Sequence, residues 1–330
     1  MKILVLCPGK IAESPDSIRC FTDVLNYYLP MSLAKTADVI AVPVPSTDNE
    51  QLKQVFSTIE VDQYDAILTL GLRFYSTISK ETTALIRNRF KGIFCQTHDG
   101  SRLDYDPVDI TFTFKNEDSK LQDNPGWYAR HKKFNRYMGW ASDPTANTPK
   151  QHPTDLRILV DHTNYGNNKI DCTREILNQI GVFIKSEHWK QQFKSVSVRR
   201  FDSGCVVDVD FDNLQINKYN RTAVPFSEIV KEHNVAHVFC VTHPESVGLV
   251  VLETAMAGAL AVVPKGFVPR DRLDTVRHVE WENTINWKQV LENINIEASR
   301  SMAIKNTWES MASRIQQSLA VEIQSRSING

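Results

Sequence analysis

Two glutamates eight positions apart, Glu245 and Glu253, frame a segment in which side chains and backbone together could hold a charged sugar derivative. The segment, residues 241–264, reads VTHPESVGLVVLETAMAGALAVVP. Glu245 falls in a loop and Glu253 inside a helix expected over 248–257. Leu249 and Glu253 are i and i+4, which places Glu253 on the same side as the start of the helix. The N–H groups around Val247, Gly248 and Leu249, with the helix dipole, make an anion site suited to a diphosphate. Gly248 lets the backbone approach a ligand closely. Carboxylates accept hydrogen bonds from sugar hydroxyls, and two at different depths could hold two different sugars. The combination suits a nucleotide-sugar; the plainer alternative is an ordinary strand–helix–strand unit with surface glutamates.

The elements that must position these groups alternate along the whole chain. Apolar runs at 3–6, 38–43, 64–70, 92–96 and 109–114 read as strands, and 17–33, 48–59 and 79–90 as helices. Asp48 and Ser79 are the expected N-caps. Such alternation specifies a parallel α/β sheet. Pro8-Gly9-Lys10 is a turn at the carboxyl end of the first strand, where sheets of this kind bind ligands. His98 and Asp99 fall just past another strand end. Residues 115–157 change character, being polar, rich in proline and asparagine, with aromatic and basic residues around Lys132, Lys133, Arg136 and Tyr137. Positions 142–155 read as a linker. A second α/β rhythm starts with a strand at 156–161, the loop HTNYGNNK and a helix at 171–180. Short strands at 195–201 and 204–209, a helix at 225–233, the strand at 236–241 and, after the break at Gly258, the strand at 259–263 continue it. Residues 286–293 and 296–323 are helical in period and free of proline. The expected organisation is therefore a first domain at 1–141, a linker at 142–155, a second domain at 156–305, and a terminal helix from 306 on.

The segment ESVGLVVLETAMAGALAVV resembles the E-x7-E region of retaining glycosyltransferases with the GT-B fold, the family 4 type, where ESFGLVLLEAMA-like sequences are common. That resemblance implies two Rossmann-like doubly wound α/β domains facing a cleft, with the nucleotide-sugar on the second and the acceptor mainly on the first. It implies that Glu245 contacts the transferred sugar, Glu253 the ribose, and the backbone of Val247, Gly248 and Leu249 the diphosphate. Gly9 would face the donor phosphates, and His98, oriented by Asp99, would line the acceptor side. Lys169 matches a diphosphate-binding lysine, whereas the arginine common in that loop is missing and His162 or Asn164 stands nearby. The resemblance further implies transfer with retention, no metal and no cofactor besides the donor, with UDP or GDP the expected nucleotide. It also implies a last helix that packs back on the first domain.

Composition narrows the alternatives. The formal net charge is −1, with 18 basic and 18 acidic residues in the first 150 positions and 20 and 21 thereafter. Neither half is a polycation, which disfavours tight nonspecific DNA binding. The cysteines, Cys7, Cys20, Cys95, Cys172, Cys205 and Cys240, include no C-x-x-C pair, as expected of a reducing, cytoplasmic setting. No stretch approaches the roughly 20 apolar residues of a membrane span. Asp208, Asp210 and Asp212, and Asp104 with Asp106, imitate D-x-D metal motifs, but a solvated strand face suits the first set better. Lys265, Arg270 and Arg272 lie near a strand end and could assist the donor site. Neither half carries G-x-G-x-x-G after its first strand, which argues against a nicotinamide-dependent oxidoreductase. A glycan, lipid or small-molecule acceptor is expected. The alternatives are a DNA-modifying glycosyltransferase, a nucleotide-sugar epimerase and a non-catalytic nucleotide-sugar-binding protein.

Overall fold

The computed structural model describes residues 1–18, 21–44, 49–70, 80–98, 108–114, 135–161, 170–202, 205–211, 224–245 and 248–329. The chain divides into two compact units, Met1–Trp140 with Trp308–Gly330, and Ala141–Thr307.

The first unit holds β1 (Lys2–Pro8), α1 (Phe21–Leu33), β2 (Asp38–Val44), α2 (Asn49–Thr58), β3 (Ala66–Thr69), α3 (Lys80–Arg89), β4 (Ile93–His98), β5 (Ile110–Thr113) and β6 (Asn135–Tyr137). The strands form one sheet in the order β2-β1-β3-β4-β5-β6, and every pair is parallel. Ile3 to Cys7, all of β3 and Ile93 to Thr97 are buried. Their largely apolar character is what a strand covered on both faces requires, and the buried polar Gln96 is bonded to Thr111 Oγ1 at 2.9 Å. The order reverses between β1 and β3, the switch point at which open α/β sheets take ligands.

The second unit holds β7 (Asp155–Val160), α4 (Thr173–Ser186), β8 (Ser195–Asp202), β9 (Cys205–Asp208), α5 (Phe226–Val235), β10 (Val238–Cys240), α6 (Leu249–Met256), β11 (Leu260–Pro264), α7 (Arg270–Leu273), β12 (His278–Trp281), α8 (Trp287–Asn293) and α9 (Ile296–Ala303). Its sheet runs β12-β11-β10-β7-β8-β9. All pairs are parallel except β8 with β9. β9 starts at Cys205, directly after the strand that ends at Asp202, and so short a connection permits a hairpin but no crossover. Leu156, Ile158, Val160, Val238, Cys240, Leu260 and Val262 pack with Ile176, Leu177 and Ile180 of α4 to form its core. The chain thus adopts two Rossmann-like doubly wound units, as the sequence leads one to expect.

Residues 142–155, read from composition as a linker, are held firmly within the second unit. Asn147 is buried, Thr148 N–H donates to Asn234 Oδ1 at 2.9 Å, and Gln151 Nε2 donates to the carbonyls of Ala236 (2.7 Å) and Ala257 (2.6 Å). Arg300 completes the clamp, donating to Asn147 O (2.7 Å), Met256 O (2.6 Å) and Pro144 O (3.1 Å). One of those carbonyls belongs to the last turn of α6, where a cation is favoured. Removing the guanidinium strands three carbonyls, so Arg300→Met is expected to cost about 3 kcal/mol, read as a lower urea midpoint for unfolding of the second unit.

The helix expected over 296–323 is interrupted. After α9 the chain passes through Ile304 to Thr307, where Ser142 N–H donates to Asn306 O at 3.0 Å and Thr307 bridges Ser142. These backbone groups are used outside a helix, which ends α9 although no proline is present. The chain then returns to the first unit as α10 (Trp308–Asn329). Trp308 stacks on Tyr28 of α1 with ring centroids 5.6 Å apart. Gln316 links to Thr36 Oγ1 at 2.6 Å and to Leu33 O at 3.0 Å.

Candidate functional site

In the second sheet the order reverses between β7 and β10, which neighbour one another in parallel. The residues that follow these two strands therefore meet at their carboxyl ends, at the topological switch point. Asp161 follows β7, and its N–H donates to Cys240 O at 3.0 Å, prolonging the ladder by one bond. Thr242, His243 and Glu245 follow β10. The turn is pinned from two sides: the Thr242 carbonyl accepts from the Cys172 N–H (2.9 Å) and Sγ (3.1 Å), and Glu245 N–H donates to Phe267 O at 2.7 Å.

Asp161, Thr242 and His243 are buried, and the Glu245 side chain is 15 % exposed. His243 lies between the two carboxylates, with Nε2 3.3 Å from Glu245 Oε1 and Nδ1 4.0 Å from Asp161 Oδ2. Nδ1 also meets Thr242 Oγ1 at 3.1 Å. One ligand atom from each of Asp161, His243 and Glu245 lies within 4.8 Å of the others, a spacing within reach of a divalent cation. The two carboxylates nevertheless make their nearest approach to opposite nitrogens of the ring, and one ion can be bound by only one of these.

α6 opens beside this cluster. Gly248 is its N-cap, with φ +74° and no capping side chain. A left-handed backbone here is open to glycine and strained for most other residues. The N–H groups that open the helix need an acceptor from outside it, a role an anion can fill. Apart from half-buried Val250, α6 is buried throughout, so it is fixed by packing more than by intrinsic propensity. At its far end Gly258 has φ +97°, and a Cβ there would lie 2.5 Å from Ile296 Cγ2 of α9. Strain and overlap together predict that Gly258→Ala destabilises by about 2 kcal/mol, measured by the same urea titration.

Glu253, one turn inside α6, is 4 % exposed. Burial pushes its carboxyl up to about 8, so at neutral pH it is chiefly the uncharged acid. Its Oε2 lies 3.8 Å from Nδ1 of His233 on α5. His233 is wholly buried, and burial drives its pKa down to about 3, against the attraction of Asp161. Neither of its ring nitrogens has a hydrogen-bond partner among the described residues, and its ring meets Phe201 edge-on. An open cavity of about 210 Å³ adjoins the loop, with Cys172, Phe267 and Trp281 in its wall.

Glu245, Gly248, Leu249 and Glu253 all lie in the second unit, Glu245 on the turn after β10 and the others at the N-cap and within α6. Gly9 stands in the first, exposed after β1 with φ +83° and nothing within 4 Å of a Cβ placed on it. His98 ends β4 opposite Thr113 of β5, and its side chain lies outside the described residues. Asp99, Lys169 and Val247 also fall outside them, as do His162, Asn164 and the cluster at 131–133. The basic residues after β11 are engaged elsewhere. Lys265 pairs with Glu282 (3.4 Å), Arg270 with Asp274 (3.0 Å) and Glu280 (3.3 Å), and buried Arg272 with Asp271 (3.3 Å). Asp208 is exposed beside Arg199 at 3.4 Å, a solvated strand face. Asp161, His243 and His233 escaped the sequence reading. The available signal was that Asp161 and His243 each sit directly past a strand, but which strands become neighbours is a matter of topology.

No family model matches the chain, and comparison with curated proteins finds no relative. Solved structures do resemble it. The apo lipopolysaccharide outer core galactosyltransferase WaaB matches with a TM-score of 0.58 at 6 % identity, over 98 % of this chain and 100 % of that one. Anabaena HepE, determined in complex with UDP and glucose, matches with a TM-score of 0.56 at 10 % identity, over 97 % and 100 % of the chains. A putative UDP-N-acetylglucosamine 2-epimerase from Listeria monocytogenes matches with a TM-score of 0.56 at 11 % identity, over 98 % of each. At such identities the likeness establishes a shared fold.

Proposed function

We propose that this chain is a glycosyltransferase that draws on a nucleoside-diphosphate sugar, UDP or GDP being the nucleotide, and transfers the sugar with retention and without a metal. The observation that carries the proposal is the placement of a glycine-opened helix N-terminus between Glu245 and Glu253 at the switch point of the second sheet. Departure of the nucleoside diphosphate builds negative charge on its phosphates. The N–H groups at the start of α6 and Lys169 stabilise that charge, the kind of preorganised electrostatic help that usually dominates catalysis. Glu245 receives a hydroxyl of the transferred sugar, and Glu253 serves the ribose from below. The base is assigned to the cavity walled by Phe267 and Trp281. The fold shared with HepE, which holds UDP and glucose, and with the galactosyltransferase WaaB supports this assignment.

The acceptor, a glycan, lipid or small molecule, belongs to the first unit, with His98, Asp99 and Gly9 as the residues to test; DNA carrying a modified base is the alternative acceptor. The buried free thiols of Cys7, Cys95, Cys172 and Cys240 fit a reducing, cytoplasmic setting. The likeness to the Listeria epimerase supports a second function, sugar epimerisation on the nucleotide with no acceptor. Thermal denaturation with UDP, GDP, ADP, TDP or NAD, each with and without EDTA, tests the proposal. A ligand at 100 times its dissociation constant stabilises by about 2.7 kcal/mol. One nucleoside diphosphate should raise the melting temperature and do so in EDTA; stabilisation by NAD alone would overturn the assignment. Conversion of UDP-N-acetylglucosamine to its 2-epimer without acceptor would select the second function.

A further inference from the structure

We propose that His243 is a positioning residue that holds the Glu245 carboxylate in place by donating a hydrogen bond from Nε2. This inference rests on the function proposed above, in which Glu245 meets the transferred sugar. His243 is the buried link between the turn and the strand beneath it. Nε2 lies 3.3 Å from Glu245 Oε1, while Nδ1 faces Thr242 Oγ1 at 3.1 Å and Asp161 Oδ2 at 4.0 Å. With Glu245 as the carboxylate that the proposal assigns, Nε2 bears a proton whatever charge the ring carries, since a bare nitrogen there would confront that carboxylate at 3.3 Å. In the neutral ring, Thr242 Oγ1 donates to Nδ1; in the charged ring, Nδ1 donates towards Thr242 and Asp161. Both states leave Nε2–H directed at Glu245.

The support behind the ring is rigid. Asp161 is tied to β10 through Cys240 O, and the Thr242 carbonyl is held by Cys172. The Glu245 backbone is fixed to Phe267 O, so the His243 contact acts on the side-chain torsions. A carboxylate at a reacting sugar must be oriented before it can contribute, and a partner that orients it is as necessary as the contact itself.

The test reads the ring directly. In protein labelled with 15N-histidine, the His243 signals are assigned by their loss in His243→Gln. Should that variant not fold, Thr242→Val assigns them by shifting the Nδ1 resonance. The expected result is a protonated Nε2 whose resonance moves in Glu245→Gln. In kinetics with UDP-glucose, His243→Ala is expected to lower kcat at least tenfold with the Kd for UDP unchanged. His243→Gln, whose amide nitrogen reaches the Nε2 position, should restore part of the rate. A ring protonated only at Nδ1, an Nε2 signal indifferent to Glu245→Gln, or wild-type kcat in His243→Ala overturns the proposal. Loss of the ring signals on adding equimolar Zn2+ overturns it too and makes the cluster a metal site. Failure of every nucleoside diphosphate to bind would instead defeat the proposed function, an outcome the ring measurement in the ligand-free protein keeps distinct.

Discussion

Glu245→Gln is expected to lower turnover of a nucleotide-sugar donor about a hundredfold, the scale on which removal of a preorganised electrostatic group at a reacting centre is felt. The amide keeps the volume of the carboxylate but loses its charge, and one of its two acceptor oxygens becomes a donor. Because Glu245 is assigned to the sugar and not to the nucleotide, the Kd for UDP should stay within twofold of the wild type. A parallel fall of kcat and kcat/KM marks an interaction made in the transition state only. The measurement is donor consumption by the purified variant, paired with calorimetric titration of UDP. Unchanged turnover in Glu245→Gln would place the sugar somewhere else.

Glu253→Gln should register in the pH dependence of stability instead. The carboxyl of Glu253 is pushed by burial from its ordinary value of 4.5 up to about 8. Between those values the folded protein binds a proton that the unfolded chain has lost, so stability decreases as pH rises, by about 1.4 kcal/mol per pH unit. His233 works with the opposite sign. Its pKa falls from 6.5 to about 3, so the unfolded chain binds the extra proton and stability decreases as pH drops through that window. The two slopes cancel between about 4.5 and 6.5, and above 6.5 only the Glu253 term of the pair remains. Urea denaturation between pH 6.5 and 8 should show the decline in the wild type and its loss in Glu253→Gln, with the variant the more stable at pH 8. UDP affinity at pH 7 should survive in Glu253→Gln, a neutral isostere of the protonated acid, and weaken in Glu253→Leu. An alkaline decline of equal size in wild type and Glu253→Gln would show that Glu253 is ionised in the fold.

The two glutamates of this short segment lie at different depths. Glu245 lies on the turn, where His243 offers a donor, whereas Glu253 lies inside a helix buried on nearly every side. Sequence spacing put Glu253 on the side of the helix start and said nothing of its protonation.

Much of the architecture was legible in local pattern. A strand covered on both faces must be apolar along its length, so 3–6, 64–70 and 259–263 announced themselves, and they appear as β1, β3 and β11. Gly248 before an apolar helical run marked the start of α6 because left-handed backbone at an N-cap has few other occupants. These properties depend on a residue and its near neighbours, and sequence carries them directly. Tertiary structure alone decided the rest. Residues 142–155 have the composition of a linker, yet Arg300 and Asn234 satisfy their backbone from distant parts of the chain, and Gln151 within the segment donates to the carbonyls of Ala236 and Ala257. The interruption between α9 and α10 arises from Ser142, more than 160 positions upstream of the groups it bonds. Asp161 and His243 become neighbours only because β7 and β10 pair across the switch point, and His233 approaches Glu253 only because α5 packs on α6. Strand pairing and burial are set by long-range packing, and it is burial that fixes the ionisation on which the chemistry of the site depends.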